Sequence, residues 1–376
     1  MALINILKQS TLTHICLWCV FVISSVIVVA LQCCTLVVWP FSRRWYRNAN
    51  GELIKLFWFQ YVWLVDYWSG SQLFIHCKDE DLPFVGKEDN LFVLNHRTDV
   101  DWITIWQIAA RFNLLPGGKA CMKDELKYVP IMGLSFFLTE QPFVKRNYTE
   151  DRGSLLKQLQ NITTYHFPTT TVIFCEGTRY TKEKYRRSQA FARERGLPEL
   201  KHHLIPRTKG FGLCVQAFRG KDVYIYDATL AYEGGTAPTL YDVLCGKKSD
   251  CHVYARRIPV DDVPSGSEDE FCHEMYRAKD KAIDYFLQHD TFEGFDAERT
   301  MHGFPRPRLS LYIMSGWTLL IGLPILYYTS MIVISGSILK VLITSAVLYA
   351  IICLARFIMT VSSAESSSYG LKDKTI

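Results

Sequence analysis

The stretch LFVLNHRTDVDW, residues 91–102, runs four apolar residues into Asn95 and then presents a histidine and two aspartates. Its reading decides the fold. A strand ending at Asn95, a turn through Arg97 and Thr98, and a helix opening near Asp99 would bring Asp101 back to the imidazole of His96. On one continuous helix the two side chains would stand about 140° apart and could not meet. In the strand–turn–helix reading the carboxylate fixes one tautomer and favours the imidazolium, which makes His96 a general base able to take a proton from an alcohol. Asp99 then serves as the N-cap of the helix. A histidine of purely structural use fits this stretch alone equally well, so the rest of the chain has to decide.

Outward from this stretch the pattern alternates. The β-branched and aromatic runs LFVLN, TTTVIFC and DVYIYDATLAY are separated by helical segments. In RGSLLKQLQNITTY, Leu155, Leu156, Leu159 and Ile162 fall close to helical spacing, and residues 271–287 also read as a helix. Strands separated by helices argue an α/β domain, a mixed sheet flanked by helices, over residues 79–300.

The 376 residues could hold one large domain or two. A net charge of +5 without a dense basic block excludes a nucleic-acid binder. The apolar residues gather at the two ends. Residues 15–41 carry no charge and are long enough to cross a bilayer, which takes about 20 residues. The run is too long for the apolar core of a secretory signal, so residues 1–47 read as an uncleaved anchor. Residues 309–334 and 338–361, broken by SGS at 335–337, read as a membrane hairpin within residues 301–376, with Lys340 and Arg356 snorkelling at its edges. A re-entrant hairpin that does not cross is the alternative. The aromatic-rich segment 48–78 reads either as a helix along the membrane interface, exposing Lys55, Gln60 and Asp66, or as a core helix. Arg43, Arg44 and Arg47 follow the first span, and only Lys8 precedes it. That excess places the central domain in the cytosol, and Arg306, Arg308, Lys372 and Lys374 agree. The sequons at Asn147 and Asn161 are therefore expected to carry no sugar. The twelve cysteines show no zinc spacing and read as free thiols.

Three further clusters carry chemistry. FCEGTRY, residues 174–180, places Glu176, a bare Gly177 backbone, the Thr178 hydroxyl and the Arg179 guanidinium at a strand end, a set suited to phosphate oxygens. PFVKR, residues 142–146, reads as a strand ending in Lys145 and Arg146. HHLIPRTKGF, residues 202–211, holds Pro206 and Gly210. Each alone reads as an ordinary turn or loop; their order along the chain is specific. Nothing resembles the G-x-S-x-G elbow of esterases.

In that order the sequence resembles the glycerolipid acyltransferases, the family of 1-acylglycerol-3-phosphate acyltransferases. The family's NHxxxxD corresponds to Asn95, His96 and Asp101. Its aromatic-then-Arg block corresponds to Phe143 and Arg146, its EGTR to Glu176–Arg179, and its Pro with a Gly four residues on to Pro206 and Gly210. KDELKYVPIMG (123–133), GLPELKHHLIPRTKGF (196–211), GKK (246–248) and SSYG (367–370) resemble the multi-span animal branch, and the likeness covers roughly residues 50–370. Lys145 stands where many bacterial members carry Asp.

The resemblance implies transfer of a fatty acyl group from acyl-CoA to the sn-2 hydroxyl of lysophosphatidic acid at a bilayer surface. His96 would be the base and Asp101 its orienting acid. Asn95, Lys145, Arg146, Glu176, Gly177, Thr178, Arg179, Pro206 and Gly210 would bind substrates. Acyl-CoA is a co-substrate, and no cofactor or metal is implied. A lysophosphatidylinositol or lysocardiolipin acyltransferase, a hydrolase that uses water as acceptor, and a non-catalytic lipid-binding scaffold are the alternatives. The last five residues, KDKTI, resemble a dilysine signal that vesicle-coat proteins read, which implies residence in the endoplasmic reticulum membrane.

Overall fold

The computed structural model describes residues 2–145 and 148–362. The run at 91–94 lies in a strand, Asn90–Leu94 (β2), all five residues of which are buried. Its side chains alternate between two cores, which is why the run shows no polar alternation. Leu91 and Val93 join the cluster built by Leu155, Leu159, Phe211, Val215 and Tyr276. Phe92 and Leu94 join the opposite cluster with Ile105, Ile108, Ala228 and Leu230.

The remaining strands in chain order are Leu73–Cys77 (β1), Gly118–Ala120 (β3), Met122–Lys123 (β4), Phe143–Val144 (β5), Thr170–Ile173 (β6), Tyr224–Tyr232 (β7), Cys251–Pro259 (β8) and Thr300–Gly303 (β9). Six of them join β2 in one seven-stranded sheet in the order β3-β6-β2-β7-β8-β1-β9, and β4 and β5 pair separately. β2 lies parallel to both β6 and β7, with Val93 opposite Ile173 and Asp227. β8 is antiparallel to β7, β1 parallel to β8, and β9 antiparallel to β1. The sheet is therefore mixed. Helices Tyr148–Ile162, Thr208–Phe218 and Glu268–His289 cover one face, and helix Asp101–Arg111 packs on the other. Because β2 and β6 are parallel neighbours, their carboxyl ends open at one edge, the usual location of a ligand site in such sheets.

A third layer lies beyond helix Asp101–Arg111. Helix Thr11–Cys34, helix Arg43–Trp63 and helix Arg308–Trp317 pack there on Val100, Ile103 and Ala109. Trp58 stacks on Trp106 with ring centroids 4.8 Å apart. Among the described residues, two helices are long and apolar enough to cross a membrane, Thr11–Val37 and Arg308–Ile334. The run after residues 335–337 forms one helix, Ile338–Ser362, which contacts helix Leu323–Ile334 and helix Thr11–Cys34.

Segment 48–78 differs from its interfacial reading. Its helix ends in a wider turn at Leu64–Ser69, closed by Gly70 at φ +79°, and β1 follows as part of the sheet. Gln60 and Asp66 are fully buried rather than exposed, because each finds a partner. The Gln60 amide oxygen accepts from Ser24 of the N-terminal helix at 3.0 Å. Asp66 accepts from Arg111 at 2.9 Å and Gln107 at 2.7 Å. Lys55 is largely covered beside Glu52. The sheet thus begins at residue 73, before the boundary at 79, and β9 carries it past residue 300.

Candidate active site

At the end of β2 the chain turns away from the sheet, and the Asn95 side chain continues the ladder in its place. Its Nδ2 donates to the Leu230 carbonyl at 3.0 Å, and its Oδ1 accepts from the Leu230 N–H at 2.7 Å. Both ends of the amide are engaged by β7. The Asn95 side chain thus fixes the strand end. Helix Glu268–His289 holds the last carbonyls of β2 from one side. Tyr276 donates to Leu94 O at 3.1 Å, and Lys279 donates to Val93 O at 3.1 Å and Ala228 O at 2.6 Å.

His96 follows. Its Nδ1 lies 2.9 Å from Asp101 Oδ2, and its ring stacks on Phe174 with centroids 4.1 Å apart and planes 20° from parallel. The Asp101 side chain is fully buried, while that of His96 keeps 15% exposure. The same Oδ2 accepts from the N–H groups of Arg97 at 2.6 Å and Thr98 at 2.9 Å, and Oδ1 accepts from the Tyr232 hydroxyl at 3.2 Å. These donors suit an ionised carboxylate. It therefore holds the proton of the neutral imidazole on Nδ1 and directs the lone pair to Nε2. The helix begins at Asp101, with Val100 before it and no side-chain cap. Asp99 is thus not the N-cap; Asp101 reaches back to the turn N–H groups from inside the first turn.

β6 ends beside this turn. Glu176 is buried, and its two oxygens accept from the N–H of His96 at 2.8 Å and the N–H of Leu204 at 3.1 Å. Burial pushes its carboxyl up to about 8, against the pull of those two donors. Glu176 therefore ties the His96 backbone to the loop before Pro206. Gly177 sits at φ +69°, a left-handed conformation that favours glycine, and a Cβ there would crowd the Arg207 side chain at 3.0 Å. Thr178 is buried and accepts from Lys184 Nζ at 3.1 Å. Arg179 presents buried Nε and Nη1 groups with no acceptor among the described residues. Burial pulls its guanidinium below the ordinary range, and the charges of Asp99 and Asp101 pull it back.

Pro206 is buried. The N–H of Arg207 donates to Cys175 O at 2.6 Å, which closes the loop onto the Glu176 turn. Gly210 lies in the first turn of helix Thr208–Phe218, where a Cβ would meet only Ile173, at 3.6 Å. Lys145 directly follows β5 of the separate two-stranded sheet, with its N–H on Asp151 at 2.8 Å. Arg146 lies outside the described residues.

Four contributors escaped the sequence reading. Phe174 stands two residues before Glu176, at the head of the cluster it serves, and Tyr232 ends an obvious strand. Arg97 donates to His202 O at 3.1 Å and lies over the Tyr180 ring. Asp280 accepts from the N–H groups of Lys201 and His202 at 2.8 Å each and from His203 Nδ1 at 3.0 Å. Burial pulls His203 down to about 4 despite Asp280, so the ring is neutral and donates. Only adjacency marked the first two, and nothing in the sequence marked Asp280.

A mixed sheet with a histidine–carboxylate pair and a buried guanidinium at the ends of adjacent parallel strands defines an acyltransferase domain. The family model described as Acyltransferase matches residues 75–232, and Acyltransferase C-terminus matches residues 242–317. The 1-acyl-sn-glycerol-3-phosphate acyltransferase delta of Mus musculus is 35% identical over 377 residues, covering 98% of this chain and 97% of that protein. The gamma form of Homo sapiens is 33% identical over 373 residues, with 98% of each covered. The chain belongs to the family of the 1-acyl-sn-glycerol-3-phosphate acyltransferases. A looser likeness is to the crystal structure of the 1-acyl-sn-glycerophosphate acyltransferase PlsC from Thermotoga maritima, at 12% identity and a TM-score of 0.42, covering 71% of this chain and 97% of that one.

Proposed function

We propose that the protein transfers a fatty acyl group from acyl-CoA to the sn-2 hydroxyl of 1-acyl-sn-glycerol 3-phosphate, giving phosphatidic acid and free CoA. The observation that carries this is the His96 Nδ1–Asp101 contact of 2.9 Å at the strand edge that also holds the Arg179 donors, which have no acceptor among the described residues. His96 Nε2 takes the hydroxyl proton as the oxygen attacks the thioester carbonyl. Asp101 stabilises the imidazolium that forms. The tetrahedral intermediate collapses, the C–S bond breaks, and the imidazolium returns its proton to the departing thiolate. Arg179 binds the acceptor phosphate through its fork of donors. Asn95 and Glu176 hold the His96 backbone in place; in this reading Lys145 and Arg146 add to the phosphate site, and Pro206 and Gly210 shape the acyl-CoA side. The preference among acceptors is tested with purified protein, acyl-CoA and a panel of lysophospholipids. Lysophosphatidic acid is expected to be acylated fastest. A lysophosphatidylinositol or lysocardiolipin preference would move the protein to phospholipid remodelling.

The substrate lives in a bilayer, and Thr11–Val37 and Arg308–Ile334 are the helices that would cross it. The catalytic domain faces the cytosol in this reading. The Asn161 amide oxygen accepts from the buried Arg47 at 3.0 Å, and in this reading its sequon carries no sugar. Asn147, Lys372 and Lys374 lie outside the described residues. Residence in the endoplasmic reticulum is tested by grafting KDKTI onto a plasma-membrane reporter. Retention is the expected result, and a reporter that reaches the surface would remove the role of the tail.

A further inference from the structure

The segment KDELKYVPIMG leads into a short helix, Met132–Leu138, that the reaction leaves without a role. The helix is fastened to two of the three helices of the third layer. Ser135 Oγ donates to Gln32 of helix Thr11–Cys34 at 2.8 Å, and Tyr46 of helix Arg43–Trp63 donates to Leu138 O at 2.6 Å. Its entry is forced. Ile131 sits at φ +67° and ψ −59°, with Met132 N donating to Pro130 O at 2.7 Å, a strained γ-turn rarely adopted by a β-branched residue. A Cβ at Gly133 would lie 2.2 Å from Lys127 O, so glycine lets the helix close onto the preceding turn. The surroundings thus fix which face looks outward. That face carries Leu134 (44% exposed) and Phe137 (67%), three residues apart, with Tyr128 (74%) at the approach.

We propose that helix Met132–Leu138 is a membrane-inserting element that seats Leu134 and Phe137 in the headgroup and upper acyl region of a phospholipid bilayer. The inference rests on the reading that Thr11–Val37 crosses the membrane. Gln32 lies five residues before the end of that run, which is about 7–8 Å along the helix axis at 1.5 Å per residue. Interfacial helices bury their apolar faces to a similar depth, about 5–10 Å. The hydrogen bond from Ser135 therefore holds the short helix at the level where lipid begins. The flanking chemistry agrees: Lys127 lies over the Tyr128 ring at 5.0 Å, and Arg43 lies over Trp39 at 5.5 Å, pairs of cation and aromatic ring that suit the headgroup zone. Val37 and Phe41, beyond the end of the helix that carries Gln32, are exposed as well and continue the apolar surface. The occupant is lipid, and the consequence is that the sheet edge is drawn down to the surface from which the acceptor is taken.

The test uses the full chain reconstituted in dioleoylphosphatidylcholine vesicles, with benzoylphenylalanine placed at Phe137, at Val26 in the N-terminal helix, or at Phe191 in helix Lys182–Arg195. After irradiation the modified peptide is weighed. The expected result is phospholipid adducts at Val26 and Phe137 and none at Phe191. Adducts at Val26 without adducts at Phe137 would overturn the proposal while the spanning helix stands. Their absence at Val26 would overturn both readings. Crosslinks from Phe137 to a second copy of the chain, in place of lipid, would assign the face to self-association and end the proposal.

Discussion

At the scale of single residues the site rests on one carboxylate with four donors. Asp101 orients the His96 ring and at the same time accepts from two turn N–H groups and the Tyr232 hydroxyl. Asp101→Asn turns an acceptor into a partial donor against N–H groups and releases the tautomer. Turnover should fall by about 10²–10⁴-fold, the usual range for losing an effective general base, with little change in acyl-CoA binding. Single-turnover kinetics beside a binding isotherm separates the two. Arg179→Lys keeps the charge but not the fork. The acceptor KM should rise by about ten- to a hundredfold, equivalent to one charge-assisted hydrogen bond at about 1.5–3 kcal/mol. A raised acyl-CoA KM with an unchanged acceptor KM would place Arg179 on the donor side. The contact between His96 and Asp101 was legible because a strand–turn–helix break is the one local geometry that lets residues five apart meet. The uses of Asn95 and Glu176 were not. A sequence shows that a polar side chain stands beside the base, and cannot show that backbone groups of Leu230, His96 and Leu204 already occupy it.

At the scale of elements, parallel pairing of β2 with β6 and β7 sets the site, and a buried histidine pair stiffens the other half of the sheet. His76 on β1 and His252 on β8 approach to 2.9 Å, and both are buried. Burial first, then the neighbouring His252, pulls His76 down to about 3. The folded value lies below the unfolded one near 6.5. The native state thus binds fewer protons between those limits, and stability is full above 6.5 and lost as pH falls toward 3. At pH 5 the single group should cost about 2 kcal/mol relative to pH 7. Replacing both rings by His76→Leu with His252→Leu should flatten the fall of the unfolding midpoint between pH 7 and 5; an unchanged slope would assign acid sensitivity elsewhere. The strands β2, β6 and β7 and the helices Tyr148–Ile162 and Glu268–His289 were legible from apolar periodicity. β1 was not, because LFIHC follows an aromatic helix without a charge to mark the break. Asp66 and Gln60 misled for a related reason: their polarity suggests exposure, and only the tertiary partners Arg111 and Ser24 make burial tolerable.

At the scale of the whole molecule, three layers of chemistry are stacked. Apolar helices meet a packed aromatic layer, that layer meets the sheet, and the sheet edge carries the His96–Asp101 pair and the Arg179 guanidinium. The apolar ends were the plainest signal in the sequence, since a run of uncharged residues needs no partner to be recognised. How they fasten to the domain, through Ser24–Gln60 and Gln32–Ser135, required the fold. The account stands or falls on whether this edge passes an acyl group to an alcohol with His96 as the base. The direct measurement is the fate of radiolabelled acyl groups when purified full-length protein is given acyl-CoA and 1-acyl-sn-glycerol 3-phosphate, for the wild type and for His96→Ala. The account predicts label in phosphatidic acid for the wild type and, for His96→Ala, a loss of about 10²–10⁴-fold with acyl-CoA still bound. Label released chiefly as free fatty acid, or a His96→Ala protein that keeps more than about a tenth of the wild-type turnover against that expected range, would contradict it.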